Sequence, residues 1–296
     1  MSYRGNHSPA AAGLADEGAL AESALAAGKG RDWIGFLSGR LLPWLSSIVV
    51  LALMYGGWKL AIFLFDISPF ILPQPERVLH GIVELERTRG FWGHVGATLE
   101  ATLIGFAIAL VFGLVLGVVL GRIYWLERAL RPAIVASQVV PKVALVPMFI
   151  IWFGFGITSK IVISALLAFF PIMLNVILGI RSVDPGHRDV MRSLNASRWA
   201  TFWRLDYHST LPYVLAGTEI GIVFAIIGTV VGEYLGGSKG LGFLIVQTLN
   251  NLNAELLFAV IVVLTLLGLL LFLAVVALKR FLIPWHESVL GNQTTP

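Results

Sequence analysis

The sequence predicts an all-α integral membrane protein with about six transmembrane helices. Of its 296 residues, 57% are hydrophobic and only 13% are charged, whereas soluble domains carry roughly 25% charged residues. The mean hydropathy is +0.85, and the apolar residues cluster in runs long enough to cross a hydrocarbon core about 30 Å thick as helices. These observations exclude an ordinary soluble domain. The chain contains no cysteine, which excludes disulfide scaffolds and thiolate metal sites.

Six apolar segments divide the chain. A polar tail over 1–32 is predicted to be disordered and cytoplasmic, and it lacks the basic and apolar pattern of a signal peptide, so the first span is expected to be retained. The first helix and its connector occupy 33–94, a helical core occupies 95–283 with a cytoplasmic loop at 182–210, and a second cytoplasmic tail occupies 284–296. The predicted spans are Trp44–Phe65, Val95–Leu120, Ile134–Phe155, Ile161–Ile180, Tyr213–Leu235 and Leu256–Phe281.

The connector between the first two spans carries apolar residues at helical spacing. This pattern predicts a short helix lying at the membrane surface. A plain surface connector is the alternative interpretation. The residues that carry the pattern are Val78, Leu79, Ile82, Val83 and Leu85.

Basic residues concentrate in alternate loops, and this asymmetry predicts the orientation. Lysine and arginine are retained on the cytoplasmic side of a membrane. They cluster before the first span, after the second, after the fourth and after the sixth. The opposite loops carry fewer of them, and the later two contain Lys160 and Lys239. Both termini are therefore predicted to be cytoplasmic.

The cytoplasmic loop 182–210 is predicted to form two short helices. Asp184 suits the N-cap of the first helix and Pro185 suits its first position. Asn195 stands between two apolar ridges, and asparagine tolerates the left-handed backbone of a sharp turn. From periodicity alone, an amphipathic loop lying on lipid headgroups is an equal alternative. The ridge residues are Val190, Met191, Leu194, Trp199, Phe202 and Trp203.

Prolines mark two predicted breaks within spans. Pro141 and Pro147, with Lys142 between them, are expected to interrupt the third span, because proline removes a backbone hydrogen bond. Pro171 is expected to break the fourth span, with Asn175 one turn further on. Broken helices line cavities or are buried in protein. The third span is equally compatible with an ordinary kinked helix near the surface.

Three polar residues within spans are further candidates. Asn175 either lines a pathway or makes an interhelical hydrogen bond. Glu219 lies near a predicted span end, where solvation explains it. Glu233 precedes a glycine-rich turn that contains Gly240 and Gly242, and a structural or gating role is favoured over contact with a solute. This turn lacks the Gly-x-x-x-x-Gly-Lys-Ser/Thr pattern of a phosphate-binding loop, and no other segment of the sequence carries it.

The cytoplasmic loop resembles the coupling motif of ABC import permeases. That motif runs acidic-x-Ala, a spacer, Gly-Ala-Ser, an aromatic residue and a closing Leu-Pro. Here Asn195 stands for the glycine, Met191 for a small residue and His208 for a proline of many relatives. The positions that the resemblance implies for contact with an ATPase are Asp189, Met191, Leu194, Asn195, Ala196, Ser197, Trp199 and Phe202.

From about Ile67 to Leu282 the chain is similar to the permeases for nitrate, taurine and aliphatic sulfonates. The segments FILPQPERVL, PKVALVPMFIIWFGFG, FFPIMLNVILGIRSVDPG and VVGEYLGGSKGLGFLI carry the similarity. It implies a MetI-like ABC importer permease fold in a bacterial inner membrane. The residues that we assign to a pathway or gate are Pro141, Lys142, Pro147, Pro171, Asn175, Glu233, Gly240 and Gly242.

The resemblance also implies partners. A homodimer of this chain would receive a small solute from an extracytoplasmic binding protein, and a homodimer of ABC ATPase subunits would bind ATP and Mg²⁺. The chain itself, surrounded by membrane lipid, is expected to bind no cofactor, metal or nucleic acid and not to be an enzyme. An ion-coupled secondary transporter is the alternative, but it should show inverted repeats and charged groups at the midplane. A membrane enzyme needs acid, base or metal groups on one face, whereas the histidines are scattered.

Overall fold

The computed structural model describes residues 42–284, and all regular structure in that range is helical. The chain divides between Ile67 and Ser68 into two units. The predicted tail at 1–32 lies outside the described residues, as does the second tail except for its first residue. In the first unit, α1 (Leu42–Phe65) is mostly apolar, and Lys59 is its one charged residue.

The second unit consists of helices joined by short connections. Five helical stretches, one of them α1, are long and apolar enough to cross a membrane in the described range, or six if one bent pair counts as a span. A 3₁₀ turn at Lys142–Leu145 precedes α5, and a π-helical segment at Phe202–Asp206 joins α8 to α9. The helices are α2 (Pro75–Arg87), α3 (Phe91–Arg122), α4 (Tyr124–Val139), α5 (Val146–Phe153), α6 (Ile157–Arg181), α7 (Pro185–Ser193), α8 (Arg198–Thr201), α9 (Tyr207–Gly236), α10 (Leu241–Asn250) and α11 (Ala254–Leu282).

Small residues allow α3, α6 and α9 to pack closely. A Cβ atom placed on Gly117 of α3 would lie 2.6 Å from the Cβ of Val176 in α6. A Cβ atom on Gly217 of α9 would lie 2.7 Å from the Cβ of Asn175. Close backbone approach of this kind stabilises helix pairs in a bilayer, where burial of apolar surface gives no net driving force. The three helices also share a buried cluster that contains Ala109, Ala168 and Ala225.

The predicted interruption of the third span is confirmed at Pro141. Segments Tyr124–Val139 and Lys142–Phe153 are bent by 81° relative to each other. The bend lies at Pro141, and the preceding residue, Val140, is extended with φ −60° and ψ 125°, as residues before proline prefer. Pro147 does not interrupt a helix, because it lies at the start of α5, where the missing N–H has no helical acceptor to lose.

The predicted break at Pro171 is also wrong, since α6 runs through it from Ile157 to Arg181. Proline is tolerated inside membrane helices when neighbouring helices support the backbone. Here α3 and α9 both pack against this part of α6, at Ile172 and Asn175. The amide of Asn175 donates to the carbonyl of Pro171, at 2.8 Å. That bond lies within α6, so the predicted interhelical bond is not the one formed.

The predicted helix in the connector is confirmed as α2, and it is packed on one side. Val78 and Leu85 are buried. A Cβ atom on Gly81 would lie 3.1 Å from the carbonyl oxygen of Glu255, at the start of α11. The guanidinium of Arg77 donates to the carboxylate of Glu255, at 2.9 Å. The connector is therefore docked on the last span and is not a free surface segment.

An ion pair also joins α11 to α9. The Nζ of Lys279 lies 3.1 Å from Oε2 of Glu219, and both side chains are mostly buried. The predicted position of Glu219 near a span end stays a prediction, but its charge is balanced by Lys279, which lies in the last turn of α11, and not by solvent alone. The lysine reaches it because α9 and α11 pack side by side, with Ile222 and Val275 in one buried cluster.

We expect Gly117→Ala to destabilise the chain, because the new methyl would lie 2.6 Å from the Cβ of Val176 and 3.0 Å from the carbonyl oxygen of Met173. Overpacking of this kind costs about 1–3 kcal/mol. Gly96→Ala in the same helix is the matched control, because a Cβ atom at that position would have no other atom within 4 Å and alanine favours a helix over glycine by about 0.5–1 kcal/mol. Thermal unfolding of the purified chain in detergent measures both, and equal effects would contradict the close packing of α3 on α6.

Candidate functional site

The loop 182–210 turns sharply at Asn195. Its φ is 50°, in the left-handed region, so the predicted turn is confirmed. The N–H of Ala196 donates to the carbonyl of Met191, at 3.0 Å, and closes the end of α7. The hydroxyl of Ser197 accepts from the N–H of Ala200, at 3.1 Å, and caps α8. Backbone geometry and capping therefore hold α7 and α8 at a fixed turn.

The helix before the turn, α7, begins as predicted. The carboxylate of Asp184 accepts from the N–H of Gly186, at 2.6 Å. Asp189 accepts from the guanidinium of Arg192, at 2.9 Å, on the exposed side of α7. Exposed ion pairs contribute little to stability, about 0–1 kcal/mol. The acidic position of the motif therefore remains accessible to a partner.

Apolar side chains on both sides of the turn are exposed. Leu194 is 71% exposed and Trp199 is 70% exposed, and Val190 on α7 is exposed as well. The rings of Trp199 and Phe202 stack with centroids 6.1 Å apart. We call the exposed residues Val190, Leu194 and Trp199, together with the half-buried Phe202 stacked on Trp199, the turn patch. Exposed apolar residues grouped in this way are typical of an interaction surface.

The second helix of the loop does not end inside the loop, in contrast to the prediction of two separate short helices. Arg198–Gly236 forms one continuous helical stretch of 39 residues, with the π-helical segment Phe202–Asp206 inside it. The helix stays continuous there because the N–H of Tyr207 donates a hydrogen bond to the carbonyl oxygen of Phe202, at the start of the π-helical segment. The turn at Asn195 is thus connected rigidly to a membrane span.

Asp206, the last residue of the π-helical segment, connects that segment to α7 and to the end of α3. One carboxylate oxygen lies 3.2 Å from the guanidinium of Arg188 in α7, and the other lies 3.7 Å from that of Arg122 at the end of α3. In the sequence alone these arginines indicate only the membrane topology. Asp206, which follows Arg192, Arg198 and Arg204 in the loop, was the available signal for these pairs.

Glu233 lies at the other end of α9 and is completely buried. The hydroxyl of Thr98 donates to its carboxylate and lies 3.0 and 2.9 Å from the two oxygens. The N–H of Gly242 donates to the second oxygen, at 2.9 Å. The Nζ of Lys160 lies 3.7 Å from the first oxygen. All of these partners are buried, and they supply the hydrogen bonds and the opposite charge that a carboxyl group needs in the interior.

The glycine-rich turn closes around this carboxylate. Gly240 has φ 124°, and a Cβ atom there would overlap the carboxylate of Glu233. The ammonium of Lys160 also donates to the carbonyl of Lys239. The N–H of Leu241 donates to the hydroxyl of Thr98, at 2.8 Å. We call Thr98, Lys160, Glu233, Gly240 and Gly242 the Glu233 cluster.

Three of these five residues, Glu233, Gly240 and Gly242, are predicted from the sequence. Lys160 was expected in a loop, but it lies inside α6 with a side chain that is 6% exposed. Thr98 carries no sequence signal, since threonine is common in membrane helices. His94, one turn before it, accepts from the N–H of Gly240 at 3.0 Å. The carboxylate of Glu233 is fully engaged by the protein, which favours the structural or gating interpretation.

The remaining predicted pathway residues lie elsewhere. The ammonium of Lys142 lies 4.9 Å from the ring centroid of Phe170, and Asn175 packs at the interface of α6 and α9. A cavity of about 490 Å³ lies beside the Glu233 cluster and is lined in part by Glu100, Lys160 and Lys239. Within residues 42–284, no group of three or more metal-ligating side chains is arranged to hold a metal ion.

Comparison with known proteins gives one consistent family. Residues 109–285 match the model of the binding-protein-dependent transport system inner membrane component. This range contains the whole loop 182–210 and four residues of the Glu233 cluster. Only Thr98 lies before it.

Several curated proteins are similar over most of their length. A riboflavin transport system permease protein of Chloroflexus aurantiacus is 39% identical over 246 residues, which cover 83% of this chain and 92% of that protein. A formylaminopyrimidine transport permease protein of Halalkalibacterium halodurans is 36% identical over 224 residues, 75% of this chain and 88% of the relative. The taurine transport system permease protein of Escherichia coli is 32% identical over 248 residues, 82% and 90% of the two chains.

The fold is also similar to a solved structure. A chain of the MetNI methionine ABC transporter, in an inward-facing conformation, aligns with a TM-score of 0.55 at 21% identity. The alignment covers 63% of this chain and 93% of that one. At this identity the similarity shows a shared helical fold.

We expect Glu233→Gln to destabilise the chain by about 3–5 kcal/mol, because it leaves the ammonium of Lys160 buried without its carboxylate. Adding Lys160→Met should restore part of the loss, with a coupling free energy of about 0.5–3 kcal/mol between the two sites. Unfolding of the single and double variants in detergent measures this coupling. Glu100→Gln is the control, since Glu100 is exposed on α3. Strictly additive losses at 160 and 233 would rule out a direct ion pair.

Proposed function

Because the chain belongs to the family of binding-protein-dependent transport system inner membrane components and is an ABC importer permease, we propose that it forms the homodimeric solute pathway of such an importer. It is a multi-pass membrane protein with the MetI-like permease fold, and permeases of this class are not enzymes. The observation that carries the proposal is the turn at Asn195, which joins an exposed apolar surface directly to the membrane span of α9.

The turn patch is proposed to dock on a separate ATPase subunit. This chain has no phosphate-binding motif in its sequence, so a homodimer of ATPase subunits would bind ATP and Mg²⁺. Val190, Leu194 and Trp199 offer apolar contacts, and Asp189 offers a carboxylate at the edge of the same surface. A docked subunit that changes conformation with ATP would bind one state of the permease more tightly than the other, and this difference shifts the equilibrium between them.

The fold supports transmission of that movement into the membrane. The turn continues through the π-helical segment into α9, and Asp206 connects α7 and the end of α3 to the same segment. At the far end of α9, the Glu233 cluster holds α3, α6 and the start of α10 together. We propose that this cluster supports the gate on the extracytoplasmic side.

The family, which is named for an inner membrane component, supports a bacterial inner membrane location, and the arginine distribution supports both termini in the cytoplasm. The solute would enter from an extracytoplasmic binding protein. Relatives are named for riboflavin, formylaminopyrimidine and taurine, which differ in charge and size. We propose a small solute of the nitrate, sulfonate or taurine type, with selection made mainly by the binding protein. The cavity beside the Glu233 cluster has both cationic and anionic side chains, so its lining does not by itself select one sign of solute charge.

We expect the purified chain to hydrolyse no ATP and to co-purify with an ATPase subunit when the two are expressed together from the source genome. Reconstitution of both in proteoliposomes with the binding protein should give solute uptake that requires ATP. Omission of the ATPase subunit is the control. ATP hydrolysis by the isolated chain, or uptake without the partner, would overturn the proposal.

We expect Asn195→Gly to preserve uptake and Asn195→Val to abolish its coupling to ATP. The backbone at 195 has φ 50°, a conformation that glycine adopts freely and that costs an ordinary residue roughly 1–2 kcal/mol, with a larger cost for a β-branched one. Because the residue is exposed in the loop, the valine variant should insert at normal levels while solute-stimulated ATP hydrolysis and uptake fall together. Wild-type transport by Asn195→Val, or equal failure of Asn195→Gly, would contradict the assigned turn.

A further inference from the structure

A basic pocket lies where the ends of α3 and α6 meet the loop 182–210. It has a volume of about 580 Å³, within the range of about 300–1,000 Å³ that small-ligand sites occupy. Arg122, Arg181 and Arg188 line it, and Asp206 is the acidic side chain of the lining. The lining therefore carries an excess of positive charge. We call it the arginine pocket.

The three guanidinium groups come from three elements and are already oriented by carboxylates. Asp206 contacts Arg122 and Arg188, and Arg181 lies 3.2 Å from the buried Glu127. All three arginines remain partly exposed, with side-chain exposures of 51%, 29% and 41% for Arg122, Arg181 and Arg188. Arginine side chains that are positioned by carboxylates and remain partly exposed suit a phosphate group, which guanidinium groups bind with paired hydrogen bonds.

An apolar cavity of about 280 Å³ adjoins the arginine pocket. The two share Arg122, Ile180 and Asp206 in their linings. From there the apolar cavity extends along the membrane spans, between Val118 of α3 and Val214 of α9. A ligand that fills both would need an anionic group next to a hydrocarbon segment.

The surroundings of the pocket match the level of lipid headgroups. Arg122 and Arg181 are the last residues of α3 and α6. Tyr124, which lines the pocket, is 64% exposed, and its neighbour Trp125 is 71% exposed. Exposed tyrosine and tryptophan are typical of the membrane interface. A basic pocket between helices at this depth on the cytoplasmic side is a typical site for an anionic headgroup.

We propose that the arginine pocket and the adjoining apolar cavity bind one anionic phospholipid. The phosphate lies among Arg122, Arg181 and Arg188, and one acyl chain lies along the apolar cavity between α3 and α9. The inference rests on the orientation in the proposed function, because the pocket must face the cytoplasmic leaflet. Since Arg188 belongs to α7, the bound lipid would link the turn at Asn195 to the ends of two spans.

Native mass spectrometry of the full chain in detergent tests the proposal without any transport assay. Phosphatidylglycerol should be retained, phosphatidylcholine with the same acyl chains should not, and inorganic phosphate should fail to displace the retained lipid. Arg122→Gln should weaken phosphatidylglycerol retention about five- to tenfold, because each interfacial arginine contributes about 1 kcal/mol. Arg122→Lys should retain most of the binding. Arg128→Gln, an exposed cation on α4 outside both linings, should have no effect.

A second variant tests the hydrocarbon part of the site. Val118 of α3 lines the apolar cavity and is 38% exposed. Val118→Trp should therefore fill the cavity and reduce retention of phosphatidylglycerol. It should not change binding of soluble glycerophosphoglycerol. Should Arg122→Gln fail to fold, Arg188→Gln takes its place. Equal retention of both lipids, unchanged retention in the arginine variants, or displacement by inorganic phosphate would overturn the proposal. Loss of transport with lipid binding intact would instead count against the proposed function.

Discussion

The close approach of α3, α6 and α9 is the constraint on which the rest of the structure depends. In a bilayer, apolar side chains gain little by leaving lipid for protein, so helices associate through packing and hydrogen bonds. Glycine on α3 and α9 allows the backbones to approach the side chains of α6 closely. Only at that separation do Thr98 and Lys160, on two different helices, both reach the carboxylate of Glu233. The steric fit of small residues thus permits the polar contacts.

Polar groups stabilise α9 at both of its ends, and they do so differently. At one end Glu233 is fully buried and every contact is internal. At the other end Asp206 is partly exposed and shared between two arginines. A buried pair resists any rearrangement, since separation leaves charges without solvent, whereas an exposed pair exchanges partners at small cost. The helix is therefore anchored at the Glu233 end and adjustable at the loop end.

The sequence predicted the features whose causes are local. Apolar runs predicted the spans, and capping and turn preferences predicted Asp184 and Asn195, because those signals depend on neighbouring residues alone. Pro141 and Pro171 show what local signals do not predict, namely whether a proline bends a span. Both are prolines in apolar segments, yet one bends the chain and the other does not, since α3 and α9 support α6. Thr98 and Lys160 were missed because their partner, Glu233, is distant in sequence and near only in the fold.

The π-helical segment Phe202–Asp206 has a consequence for how this region tolerates change in chain length. A π turn holds one residue more than an α-helical turn, and it usually arises as a single-residue insertion in a longer helix. In the regular part of α9 each residue turns the chain by about 100°, whereas the wide π turn absorbs its extra residue within one turn. Removing one residue from the π-helical segment would therefore restore regular winding and leave the turn patch facing nearly the same way. Removing one residue from the regular part of α9 would instead rotate the turn patch by about 100° relative to the rest of the helix, so in this protein the direction in which the cytoplasmic surface faces depends on where a residue is gained or lost.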